Sequence, residues 1–105
     1  MKAKKLDNNK PRLSIIPFKC LMGVIKVFEH GAKKYAPHNY RLGMDRTRYA
    51  DACFRHLHSW LIGNDMDKES GLPHLDHAIA SLMMLRENEI EGRGKDDRVD
   101  KTIQR

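Results

Sequence analysis

Three apolar stripes at helical spacing, separated by breaks that carry proline or glycine, restrict this chain to a helical fold. Phe18, Leu21, Met22, Ile25, Phe28 and Ala32 form the first, Ala50, Phe54, Leu57 and Leu61 the second, and Leu75, Ile79, Leu82 and Leu85 the third. Residues three and four apart share one face of a helix, whereas a half-buried strand alternates strictly, and no segment here does so. The spacing predicts helices near residues 18–34, 47–62 and 73–90, with a short helix around Pro37 to Met44. Ile16 precedes a proline and reads as extended, so Pro17 opens the first helix, which Gly23 weakens and Gly31 can interrupt. Asp45 or Thr47 can cap the second helix, Gly63-Asn64 stops it, and Pro73 suits the first turn of the third.

The fold class is therefore all-α: a compact helical bundle of three main helices plus short helices. The chain has only 105 residues, and three helices leave apolar sides that a small domain cannot cover alone. Completion by homo-oligomerisation is expected, with Met22, Trp60, Met83 and Met84 as interface residues. Residues 1–12 read as a polar basic arm, 13–91 as the helical domain, and 92–105 as a polar tail of flexible composition.

Lys and Arg number 20 against 14 Asp and Glu, a net charge of +6 that favours polyanionic partners such as nucleotide phosphates, nucleic acid or membrane surfaces. No apolar run reaches the roughly 18 residues that cross a bilayer, and the basic N-terminus is followed by polar residues rather than a signal-peptide core. A cytoplasmic location without membrane contact is expected. Cys20 and Cys53 lie on separate apolar segments and read as buried reduced thiols, which name no function.

Several polar groupings can carry chemistry. On the second helix, Asp51, Arg55 and His58 share one face, and His56 lies about 140 degrees around the axis from Asp51, beside Tyr49, Ala52 and Trp60. An Asp–Arg pair at this spacing is most often a surface salt bridge. His74 and His77 stand at i, i+3 on the third helix, a spacing that can ligate one metal, although HLDH is not the HExxH motif. Upstream, Asp65, Asp67 and Glu69 offer the carboxylate oxygens that hard cations prefer. The same loop also reads as a plain turn in which Asp65 or Asp67 bonds local backbone. Lys33, Lys34, Tyr35, Asn39 and Tyr40 supply cations, rings and an amide where the chain bends, suited to phosphate and base but without the pattern of a P-loop.

Taken in order, Lys10-Pro11-Arg12-Leu13, Ile16-Pro17, Gly31-Ala32-Lys33-Lys34-Tyr35, Asn39, Asp51-Ala52, Arg55-His56, Trp60, Glu69-Ser70-Gly71-Leu72 and His74-Leu75-Asp76-His77-Ala78 resemble the N-terminal domain of the phage dATP/dGTP diphosphohydrolases. The likeness runs from Lys10 to about Leu85. It implies a phage or prophage origin and an all-α fold akin to MazG-type nucleotide pyrophosphohydrolases, in which helices surround a magnesium site and pyrophosphate is released. Two departures stand out: Tyr40 replaces the usual indole, and the EExxE helix motif is missing.

The resemblance implies a metal-dependent diphosphohydrolase acting on purine dNTPs. Asp51, His56, Glu69 and His77 are then the catalytic residues. Mg2+ or Mn2+ is held by Asp51, Glu69, His74 and His77, and substrate by Lys33, Lys34, Tyr35, Asn39 and Arg55. The alternative is a non-catalytic phage protein that sequesters a host signalling nucleotide, using the same cations and ring without a metal. Nucleic-acid binding, a third reading, demands steep salt dependence and is not expected.

Overall fold

The breaks in the sequence become the ends of helices. The computed structural model describes residues 2–99 and contains α1 (Phe18–Lys34), α2 (Arg46–Leu61) and α3 (His74–Glu91), with 3-10 turns at Leu13–Ile15 and Asn39–Leu42. Among the described residues there is no strand, only an isolated bridge between Met66 and Pro73. Pro17 stands at the N-cap of α1 in an extended conformation, as its fixed φ favours. Gly92, at φ 68°, adopts the left-handed geometry that ends α3, and its N–H donates to the carbonyls of Asn88 and Glu89. Among the described residues no helix is long and apolar enough to cross a membrane.

α1 continues through both of its glycines. The reason at Gly23 is tertiary: a Cβ there would overlap the Asp76 carboxylate, with Cγ only 2.8 Å away. The residue that lowers helix propensity is the one that lets α1 approach α3. α3 packs against both other helices, most extensively against α2. The core is small, with Val24, Val27 and Ala80 buried and Phe28, Leu72 and Met84 packed around them.

The second and third stripes do not face this core as the spacing suggested. Phe54 and Leu61 on α2 are 69% and 72% exposed, and Leu75, Ile79 and Leu82 on α3 are also exposed. Polar bonds between the helices fix the rotation instead. Asn88, wholly buried on α3, donates to the Tyr49 hydroxyl at 3.1 Å and to the Tyr40 carbonyl at 3.2 Å, and Tyr49 donates to that same carbonyl. With Tyr49 and His56 turned toward α3, the apolar residues of α2 must point away. The cysteines differ from expectation too: Cys20 is exposed and Cys53 only part-buried, both free.

Composition alone would leave the segment after Gly92 loose, yet its described part, residues 93–99, closes the N-terminus of α2; residues 100–105 lie outside the described residues. Arg46 N donates to Lys95 O at 2.9 Å, and Thr47 donates through its backbone N and its hydroxyl to the Asp97 carboxylate. Asp45 occupies the N-cap position without a side-chain cap, so a carboxylate from the opposite end of the domain does that work. The hydrogen bonds from Thr47 hold the Asp97 carboxyl below the usual carboxylate range.

Candidate functional site

The loop between α2 and α3 is held by its own backbone: Asp67 N donates to Leu72 O, Gly71 N to Asp67 O and His74 N to Asp65 O, each at 2.8 Å. Within it Ser70 donates to Asp67 Oδ2 from its backbone N and from its hydroxyl, both at 2.9 Å. This is the local turn chemistry expected of an aspartate three residues before a serine. Its consequence is long-range, because it aims the Asp67 carboxylate at the side chains that α2 and α3 bring together.

Those side chains are histidines. His56 of α2 and His74 of α3 approach with their Nδ1 atoms 2.9 Å apart, so one ring carries the proton and the other accepts it. Ligand atoms of His56, Asp67 and His74 all lie within 4.8 Å of one another. His77, one turn along α3, stacks on His56 with ring centroids 4.5 Å apart, and its Nε2 lies 2.7 Å from Ser70 Oγ. Ser70 Oγ accepts from Leu72 N and has one proton, given to Asp67. His77 Nε2 must therefore donate to it, which fixes the tautomer of His77. His30 of α1 stands edge-on to His77 with centroids 6.5 Å apart, closing the third side.

Burial lowers the pKa of His56, as does a charge on His77, and burial likewise lowers that of His77. Both rings are neutral at neutral pH. The 3.8 Å approach of His77 Nε2 to Asp67 Oδ2 is thus a dipolar contact there and not an ion pair. Burial pushes Asp67 upward, but the Ser70 hydrogen bonds and the neighbouring histidines outweigh it and hold the carboxyl below its ordinary range. The cluster sets one anion, Asp67, beside the neutral rings of His56 and His77, an arrangement whose charge a cation would complement.

The residues singled out from sequence fall into three places. His56, His74 and His77 meet in the cluster. Glu69 stands at its rim, paired with Lys34 of α1; that hydrogen bond raises the Lys34 pKa and lowers that of Glu69. Tyr35 and Asn39 belong elsewhere, lining an apolar cavity of about 490 Å3 with Phe28, Tyr40 and Met84. Phe28 and Ala32 face that cavity, whereas about half a turn around α1 His30 faces His77 and Lys34 reaches Glu69. Asp51, Arg55 and Lys33 are exposed, and Asp51 is not a member of the three-residue group. Ser70 was not among the expected site residues, and Asp67, read with Asp65 and Glu69 as a carboxylate suited to hard cations, was not placed with the histidines; the Asp-x-x-Ser spacing beside two helical histidines is the signal that joins them.

The family described as dATP/dGTP diphosphohydrolase, N-terminal, matches residues 1–98 of the chain. A protein named dATP/dGTP diphosphohydrolase, from Salmonella phage PMBT28, is 36% identical over 81 residues, which cover 77% of this chain and 28% of that protein. The chain thus spans less than a third of the length of that relative. No solved structure matches.

Proposed function

The chain belongs to the dATP/dGTP diphosphohydrolase N-terminal family, and from that premise we propose that it binds a purine deoxynucleoside triphosphate and, with a divalent ion at the histidine cluster, hydrolyses it. Water would attack the α-phosphorus, the bond to the α–β bridging oxygen would break, and deoxynucleoside monophosphate and pyrophosphate would leave. The observation that supports this most is the Lys34–Glu69 pair beside Asp67, because it sets a phosphate-compatible cation next to a group able to hold a metal.

His56, Asp67 and His74 would hold the ion. When bound, it would polarise phosphoryl oxygens and acidify a water molecule. Lys34 would leave Glu69 to neutralise the phosphate chain, and Glu69, freed on the rim, would be an exposed carboxylate able to take a proton. Asp67 is held ionised by Ser70, so its charge is present before substrate arrives. Magnesium is the ion that the family likeness implies, and it takes oxygen ligands; only one of these three donors is oxygen.

A second reading has its own support. The cavity edged by Tyr35, Asn39 and Tyr40 has room for a base and an amide to read it, and none of His30, His56, His74 and His77 lines it. A protein that only captures nucleotide would need that cavity and the lysines alone. Incubating the chain with each dNTP and with Mg2+ or Mn2+ and then resolving products separates the two. Equimolar monophosphate and pyrophosphate supports hydrolysis; tightly held nucleotide recovered intact supports capture.

A further inference from the structure

We propose that His56, Asp67 and His74 form a site for a first-row transition ion of the Mn2+, Co2+ or Zn2+ class, and that Mg2+ does not occupy it. This rests on the metal-dependent reading above and deepens it. The first argument is donor chemistry. Imidazole nitrogen suits the later first-row ions, whereas magnesium demands a nearly octahedral shell of oxygens and seldom gives up water for nitrogen. Two nitrogens and one oxygen are a transition-ion set, and three protein ligands leave positions open for water and phosphate.

The second argument is preorganisation. Both imidazoles stand on helices packed against each other, and the carboxylate stands on a loop closed by three backbone hydrogen bonds. The hydrogen bonds from Ser70 fall on Oδ2 of Asp67, leaving Oδ1 without a hydrogen-bond donor among the described residues. The Nδ1 atoms of His56 and His74, 2.9 Å apart with one proton between them, are the two nitrogens that would hold an ion once that proton is displaced. With all three ligand atoms within 4.8 Å of one another, one ion could be held by the three side chains together.

His77 takes a different task. Its Nε2 is committed to Ser70, and its ring lies against the ring of His56. It is a positioning residue that fixes the plane of His56, as the outer partners of metal-bound histidines generally do.

The test uses the full chain, stripped with chelator, with no nucleotide present. Titration calorimetry with Co2+, Zn2+, Mn2+ and Mg2+ should give one transition ion per chain, bound at least about a hundredfold more tightly than Mg2+. Bound Co2+ should show a visible absorption band. Asp67→Asn and His56→Gln, confirmed folded by circular dichroism, should each weaken Co2+ binding by at least about tenfold. Mg2+ binding as tightly as Co2+, or Co2+ binding unchanged in both folded variants, would overturn the assignment. The titration contains no nucleotide, and a separate assay of dNTP products keeps the two readings apart: Co2+ bound by a chain that hydrolyses nothing upholds the site and defeats the enzyme reading, whereas hydrolysis by a chain that binds Co2+ no more tightly than Mg2+ defeats the site and leaves the enzyme reading standing.

Discussion

His56 and His77 come from different helices yet stack with their planes 11° from parallel and their centroids 4.5 Å apart. Two part-buried imidazoles in this contact resist protonation, and burial lowers the pKa of each below the ordinary 6.5. Above that value both rings are neutral whether the chain is folded or unfolded, so they add no pH dependence. As pH falls below 6.5, the unfolded chain takes up protons that the folded cluster refuses. The unfolded state then binds more protons and stability falls with pH.

The metal-free chain should accordingly melt at a lower temperature at pH 5.5 than at pH 7.5, and His77→Gln, which keeps a donor for Ser70, should flatten that slope. A wild-type melting temperature that is level or rising toward acid pH contradicts the neutral-stack account.

Gly23 makes a sharper test of packing. In an exposed helix interior, Gly→Ala stabilises by ~0.8–1 kcal/mol. Here the added methyl meets the Asp76 carboxylate at the α1–α3 crossing, and overpacking of that kind costs about 1–3 kcal/mol. Urea unfolding should show Gly23→Ala to be less stable than wild type, and Gly23→Ala with Asp76→Ala to recover most of the loss. A single variant more stable than wild type would mean that the helices do not meet this closely.

The helices were legible because periodicity and breakers are local. Expected spans of 18–34, 47–62 and 73–90 became Phe18–Lys34, Arg46–Leu61 and His74–Glu91. The angle that set His56 beside Tyr49, Ala52 and Trp60, away from Asp51, held for all but one of them: Tyr49 is buried, His56 and Ala52 are part-buried and Asp51 is exposed, whereas Trp60, at the end of α2, is exposed. What periodicity does not encode is which way a stripe faces. Phe54, Leu57 and Leu61 share a side as expected, but that side turns outward because Asn88 and Tyr49, two polar residues in no apolar pattern, set the rotation of α2. The site divided on the same line. Histidine spacing on one helix was visible, whereas the selection of Asp67 depends on a loop folding back through Ser70.

The outward stripes lead to a prediction about assembly. The chain exposes 8822 Å2, against roughly 6,100 Å2 for a compact monomer of this mass. Its radius of gyration is 17.3 Å, against about 13 Å for a compact domain of about 100 residues. The extended arm accounts for part of the excess, but Met22, Phe54, Leu57, Trp60, Leu61, Leu82 and Met83 all lie on helices and are exposed. So many exposed apolar side chains on the helices of a small folded domain call for cover by another chain. Light scattering of the 105-residue chain at micromolar concentration should find at least a dimer, and Leu61→Glu should shift it toward monomer. A species of 12.2 kDa alone would refute this.

The last prediction concerns which carboxylate matters for turnover. The family resemblance put Asp51 and Glu69 at the metal with His74 and His77, whereas the group within 4.8 Å comprises His56, Asp67 and His74. If hydrolysis runs through that group, Asp67→Asn should lower kcat by at least about a hundredfold while the fold is kept, because it removes the one anion of the cluster. Asp51→Asn, on the exposed side of α2, should leave kcat within about threefold of wild type. Lys34→Ala should chiefly raise KM, since its ammonium meets phosphate in the ground state and the transition state alike. Ser70→Ala lies between these: Asp67 and His77 each lose a partner, so activity should be recoverable at higher metal concentration in a way that Asp67→Asn is not. Full turnover in Asp67→Asn together with its loss in Asp51→Asn would move the catalytic centre back to the exposed side of α2, where only a second copy of the chain could complete it.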